Sequence, residues 1–130
     1  MKKFFATFLF LFGCVLGYSQ TKIENLNLTG LWADSNSASF KNCYMIISQT
    51  GNKILVAHYL EFNGTPMVEE GKGKVSGRKA SYKVKVTKAI PGWATSGEHF
   101  LELSPDGTAL RGYYKDVKGN TGPIVFKKIG

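Results

Sequence analysis

Cysteine is nearly absent from this chain. Its 130 residues hold two, Cys14 and Cys43, and Cys14 falls in an apolar leader, so Cys43 stands alone. An intrachain disulfide is thereby excluded from the folded part, and packing must hold it together. Acid is also scarce, with 9 Asp and Glu against 17 Lys and Arg, a net charge of +8. Long hydrophobic runs are missing except for Phe4 to Leu16, which is too short for a comfortable membrane span. No internal repeat and no low-complexity tract interrupts the chain. No stretch carries convincing helical periodicity.

What is present begins with that leader. Lys2 and Lys3 precede the apolar run, and Gly17-Tyr18-Ser19 places small residues where a signal peptidase cuts, so residues 1–19 read as a signal peptide cleaved before Gln20. A rival is Leu11-Phe12-Gly13-Cys14, which has the outline of a bacterial lipoprotein box and would tether the protein through Cys14. Bulky Phe12 and the apolar Val15-Leu16 that follow favour simple export, to the periplasm or beyond. Removing 19 of the 130 residues, Lys2 and Lys3 among them, leaves 111 residues at +6 rather than +8. That is one domain, able to bury roughly 60–70% of its unfolded surface. A basic exported protein is not expected to meet nucleic acid; its anionic partners are surface polysaccharide, lipid headgroups or an acidic protein.

Residues 20–27 form a polar lead-in, and residues 28–130 read as eight strands. Strand one runs from Leu28 to Asp34, two from Cys43 to Thr50, and three from Lys53 to Phe62. Gly51-Asn52 joins the last two as a two-residue hairpin. That turn sets Ile47 opposite Val56, Met45 opposite His58 and Cys43 opposite Leu60 on an inner face. Strands four (Val68 to Ser76) and five (Lys79 to Lys88) meet at Gly77-Arg78, which sets Val75 opposite Ala80, Gly73 opposite Tyr82 and Gly71 opposite Val84, all inward. Strands six (Glu98 to Ser104) and seven (Thr108 to Asp116) meet at Pro105-Asp106-Gly107. A four-residue loop there pairs Leu101 with Leu110 and His99 with Gly112. Strand eight runs from Pro123 to Ile129.

The tight turns at Gly51-Asn52, Gly77-Arg78 and Pro105-Asp106 fall at one end of an up-and-down barrel. The loops Asp34 to Asn42, Asn63 to Met67, Ala89 to Gly97 and Val117 to Gly122 fall at the other. Short connections at one end and long ones at the other describe an eight-stranded all-β cup with a mouth. The opening Leu28-Thr29-Gly30-Leu31-Trp32, the meander and a basic residue on the last strand resemble the calycins, the lipocalin and avidin group, over Leu28 to Ile129. The resemblance implies an antiparallel barrel that binds a ligand in its interior. It also implies a basic side chain, Lys127 or Lys128, lying over Trp32 at the closed end as a cation–π cap. The chain departs from the pattern in having Lys rather than Arg there, no disulfide and no C-terminal helix. Asp34 stands where avidins carry a biotin-binding asparagine, and the tryptophan-bearing strand that walls the biotin site has no match, so biotin is not implied.

The candidate site follows from the inward faces. Cys43, Met45, His58, Leu60, Tyr82, His99 and Tyr114 are expected to line the cavity, Trp93 to overhang it, and Glu69 to sit at its rim. Cys43 with a histidine is the seed of a hydrolase, but no signature supplies an orienting carboxylate or oxyanion donors, so an enzyme is not expected. His58, His99 and Glu69 come from three strands without metal-ligand spacing, so no metal or other cofactor is expected. Two functions stay open. One is a cup for a small apolar or amphipathic ligand. The other is a protein-binding or polyanion-adhering module with a filled barrel. The second draws on an apolar outer ribbon, Tyr44, Ile46, Leu55, Ala57 and Tyr59, suited to homo-oligomer contact. It also draws on the hairpin from Lys72 to Lys88, whose Lys72, Lys74, Arg78, Lys79, Lys83, Lys85 and Lys88 form an acid-free basic face.

Overall fold

The computed structural model describes residues 26–34 and 39–130. The signal peptide, its cleavage before Gln20, the Cys14 tether and most of the lead-in lie outside the described residues.

Eight strands follow in order: β1 (Gly30–Asp34), β2 (Phe40–Thr50), β3 (Lys53–Phe62), β4 (Thr65–Ser76), β5 (Lys79–Lys88), β6 (Ser96–Leu103), β7 (Ala109–Asp116) and β8 (Thr121–Lys128). Each pairs antiparallel with its neighbour, and β8 returns to β1 to close a barrel in meander order. Burial alternates along β3 from Lys53 to Leu60, buried at Ile54, Val56, His58 and Leu60 and exposed between them. That period of two is what a wall with one wet face requires. The wet face carries lysines on β3, β4 and β5 beside exposed Leu55, Ala57 and Tyr59 on β3. Among the described residues no helix is long and apolar enough to cross a membrane.

The closed end is a solid core. Trp32, Met45, Ile47, Ile54, Leu110 and Phe126 are fully buried there and pack with Leu28, Tyr82 and Leu101. Trp32 Nε1 donates to the Leu28 carbonyl at 3.0 Å, and the Leu28 N–H donates to Gln49 Oε1 at 2.8 Å. These bonds satisfy the buried polar groups where the chain enters the barrel. Lys128 lies directly opposite Trp32 in the β1–β8 register and puts its ammonium 5.8 Å from the indole centroid. Lys127 takes no part in this cap; it faces out, opposite Ala33 and Ala109. Neighbouring residues on one strand point to opposite faces, so only one of the two can cover the ring.

The β4–β5 register is as predicted, Gly73 opposite Tyr82 and Gly71 opposite Val84. The Tyr82 ring leans diagonally, so a side chain at Gly71 would press on its edge, only 2.7 Å from Cδ2. Three other expectations need correction. Phe62 pairs with Thr65, so Asn63-Gly64 is a two-residue turn with φ of 48° and 81°, not a long loop. These angles suit a hairpin of the primed type. Strand four therefore starts before Pro66, and strand eight includes Pro123; both prolines sit near strand starts, where a missing N–H costs little.

The β6–β7 register slips by two: Leu103 faces Leu110, Leu101 faces Gly112, and His99 faces Tyr114. The cause is Asp106, whose Oδ1 accepts from Ser104 Oγ and from Thr108 N and Oγ1, holding Thr108 in the turn. A two-residue slip preserves which face each side chain takes, so the inward set survives. On β2 an irregularity between Lys41 and Tyr44 places Asn42 and Cys43 together opposite Leu60, with Asn42 at φ 51°. The predicted one-to-one pairing of Cys43 with Leu60 is thus replaced by a bulge.

Candidate functional site

Above the solid core the barrel is hollow. A cavity of about 630 Å³ opens at the end opposite the Gly51-Asn52 and Gly77-Arg78 turns. Its walls are largely apolar, with Phe40, Leu60, Met67, Val84, Val86 and Ile124 from five strands. The mouth lies between the loop of residues 89–95 and the turn of residues 117–120. Lys118 Nζ ties the two by donating to the Gly92 carbonyl at 2.6 Å. Ile90 is buried and anchors the first of them. Trp93, half-buried, packs on Phe62 and Phe40 at ring distances of 4.9 and 6.0 Å and lines the cavity.

The floor is polar. His58 on β3 donates from Nδ1 to Glu69 Oε1 on β4 at 3.0 Å, and the two residues are direct cross-strand partners. His99 on β6 brings Nε2 to 3.5 Å from the same oxygen. Its Nδ1 lies 2.9 Å from the Tyr82 hydroxyl, which is also 3.3 Å from Met45 Sδ. Sulfur is a weak acceptor, so the stronger arrangement has the phenol donating to His99 Nδ1 and leaves Nε2–H facing Glu69. On the far side of His58, Nε2 points toward Asp34 Oδ2 at 3.7 Å, beyond hydrogen-bond length. That nitrogen is buried without a hydrogen-bond partner.

Electrostatics set the character of this floor. Burial pushes the Glu69 carboxyl upward, but the His58 hydrogen bond and the fields of His99 and His58 outweigh it and hold Glu69 below its ordinary range. Glu69 is therefore a carboxylate, and among the described residues its close polar contacts are imidazole nitrogens. Burial drives His99 down to about 4, despite the opposing pull of Glu69, so His99 is neutral near pH 7. Burial likewise pushes the Tyr82 phenol well above its usual value. The result is an acceptor-rich base beneath an apolar chamber.

Of the nine residues predicted for the cavity, the structure gathers His58, Leu60, Glu69, Trp93, His99 and Tyr114 around it. Glu69 is not at the rim. It is 5% exposed and on the floor, because β4 begins at Thr65 and carries Glu69 well inside the barrel. Met45 and Tyr82 do not line the chamber; they belong to the core below it. Cys43 does not line it either. It packs with Leu60, Met67 and Ile90 beside the mouth, and its thiol donates to the Lys41 carbonyl at 3.3 Å rather than engaging a histidine. Burial raises that thiol, so it stays protonated.

Asp34 was not among the predicted site residues, although its place two residues after Trp32 on an inward face was the signal that could have found it. Among the described residues no group of His, Cys, Asp and Glu is arranged to hold a metal ion. No protein-family model matches the chain, and no curated protein matches it in sequence.

Proposed function

We propose that this protein is an exported, calycin-like binding cup, without catalytic activity, for a small amphipathic ligand. Such a ligand would place its apolar body in the chamber and a hydrogen-bond donor or cationic head on Glu69. The single observation that supports this reading is the cavity itself: about 630 Å³, apolar-walled, open at one end and floored by His58, Glu69 and His99. Volumes of this order are typical of small-molecule sites with apolar walls and few polar groups. An ionised floor carboxylate selects the head group. A second carboxylate would meet like charge in a low dielectric, whereas an amine or alcohol would find an acceptor.

The rival reading, a barrel acting only through its outer wall, requires an interior filled by its own side chains. Here the filling stops at Met45 and Tyr82. Export is part of the proposal and rests on residues 1–19 of the sequence; intact-mass analysis of secreted protein should find a chain beginning at Gln20.

Titration with octylamine, octanol and octanoate, followed by Trp93 emission in a Trp32→Phe background, tests the cup. The amine and the alcohol should shift the emission saturably and the carboxylate should bind about tenfold more weakly, the size of one charge-assisted hydrogen bond. Glu69→Gln should narrow that gap. Three flat titrations would refute the reading.

A further inference from the structure

The outer wall of β3, β4 and β5 carries a feature that the cavity does not use. Lys53 lies directly opposite Lys74, and Lys72 directly opposite Lys83. All four are exposed. Lys72 and Lys74 are two apart on one strand, and adjacent strands are about 4.8 Å apart, so the four form one lattice of positive charge. Like charges directly opposite destabilise a sheet. Among the described residues none of the four forms an ion pair with a carboxylate; the carboxylates in close contact with a basic side chain are those facing His58 and His99. Acid stands opposite the outer lysines of β5, with Lys83 facing Glu98, Lys79 facing Glu102 and Lys85 facing Glu70. Arg78 leaves the basic face altogether, since its guanidinium is spent on the Leu103 and Ser104 carbonyls. The charge with no acid opposite it is that of Lys53, Lys72 and Lys74.

An apolar stripe adjoins it. Leu55 lies directly opposite Lys72, and the stripe continues through Ile46, Tyr44 and Tyr59 to Leu31 on β1. Ile46 is 58% and Leu55 56% exposed. Charge and grease therefore share one side of the barrel. We propose that this side docks on an anionic lipid bilayer, with Leu55, Ile46 and the two tyrosines at the headgroup boundary and the lysine lattice on the lipid phosphates.

Each half of the patch argues for that occupant. A polyanionic glycan would satisfy the lysines but give the stripe nothing apolar to meet. A second copy of the chain would cover the stripe, but its far flank on β1 and β8 offers Leu31, Ala33 and Lys127, with no carboxylate for the lattice. A lipid interface supplies both, because tyrosines settle at headgroup depth and lysines are drawn to the anionic surface.

Vesicle co-sedimentation of the full chain tests this, comparing pure phosphatidylcholine with phosphatidylcholine containing phosphatidylglycerol. Every variant carries the same N-terminal residues, so a difference between variants on the anionic vesicles reports on the wall. Binding should be at least tenfold stronger on the anionic vesicles, and it should collapse between about 0.05 M and about 0.5 M salt. Lys72→Glu should cost at least fivefold, as expected for one lysine near an anionic surface. Leu55→Ser should weaken binding by a similar factor. Arg111→Glu makes the same charge change on β7, across the barrel, and should alter binding less than twofold. Lys72→Glu also relieves a like-charge pair, so its melting temperature should not fall, which separates lost docking from lost folding.

Equal binding to both vesicles, or equal losses for Lys72→Glu and Arg111→Glu, would overturn the proposal. So would binding to dextran sulfate that Leu55→Ser leaves untouched while vesicles go unbound, which would assign the lattice to polysaccharide. A dimer in sedimentation velocity that Ile46→Lys converts to a monomer would assign the stripe to a second copy instead.

Discussion

His58 and Glu69 face each other across β3 and β4, and their 3.0 Å hydrogen bond marks the level at which the barrel stops being solid. Below it Tyr82, Met45 and Phe126 fill the interior; above it the chamber opens. His58 also stands edge-on to Phe126, with ring centroids 5.3 Å apart, so one imidazole ends the core and begins the site. The polar layer is a joint between two environments.

Glu69→Ala should therefore be costly. It removes the acceptor that faces His58 Nδ1 and His99 Nε2 while leaving both rings buried. A loss of about 2–4 kcal/mol is expected in urea unfolding, from buried donors left unpaired. Glu69→Gln keeps an acceptor and should lose less. Equal and small losses from both would mean that the layer contributes little.

Acid should destabilise the fold in two stages. The folded His99 titrates near 4, against 6.5 for an ordinary histidine. Between those values the unfolded chain binds a proton that the folded one refuses. The contribution is complete above pH 6.5 and is lost as pH falls toward 4, on the order of 3 kcal/mol in all. Glu69, held below its usual 4.5, adds a loss of the same sign as pH falls further. Urea midpoints measured across this range should fall steadily below pH 6.5. His99→Phe should flatten the upper part of that slope.

Gly71→Val tests the fit of Tyr82. A β-branched side chain there meets the ring edge, and the well-packed core beneath cannot yield without moving Met45. A destabilisation of about 1–3 kcal/mol is expected from overpacking, read as a lowered melting temperature. No change would mean that the ring swings freely.

The two tryptophans should differ in accessibility. Trp32 is wholly buried beneath Lys128, whereas Trp93 is half-buried beside the mouth. Acrylamide should quench Trp93 several-fold more strongly in single-tryptophan variants. Equal quenching would contradict the assignment of closed and open ends.

Much of this was legible from residue order. Alternation along Lys53 to Leu60 and Gly77-Arg78 between two matched strands settled strand identity, the β4–β5 register and the β2–β3 register from Tyr44 to the turn, because a hairpin turn and a period of two leave one consistent pairing. The Ser104-to-Thr108 turn misled by two residues, since the pull of Asp106 on Thr108 is a side-chain bond that turn composition does not reveal. Pro66 misled in the other direction: a proline beside Asn63-Gly64 reads as loop, yet it sits where a strand start tolerates it. Which histidine meets which carboxylate was not readable, as His58, Glu69, His99 and Asp34 come from four strands.

The sequence by itself determined that the chain forms eight antiparallel strands and which face of strands two to seven turns inward, because both follow from local alternation and turn chemistry. Only the tertiary structure decided how deep the solid core runs, that Glu69 lies on the floor and not at the rim, and that Lys128 rather than Lys127 covers Trp32. Those outcomes depend on where barrel closure sets strands side by side, and on how large side chains from opposite walls share one interior volume. No stretch of sequence carries that information alone.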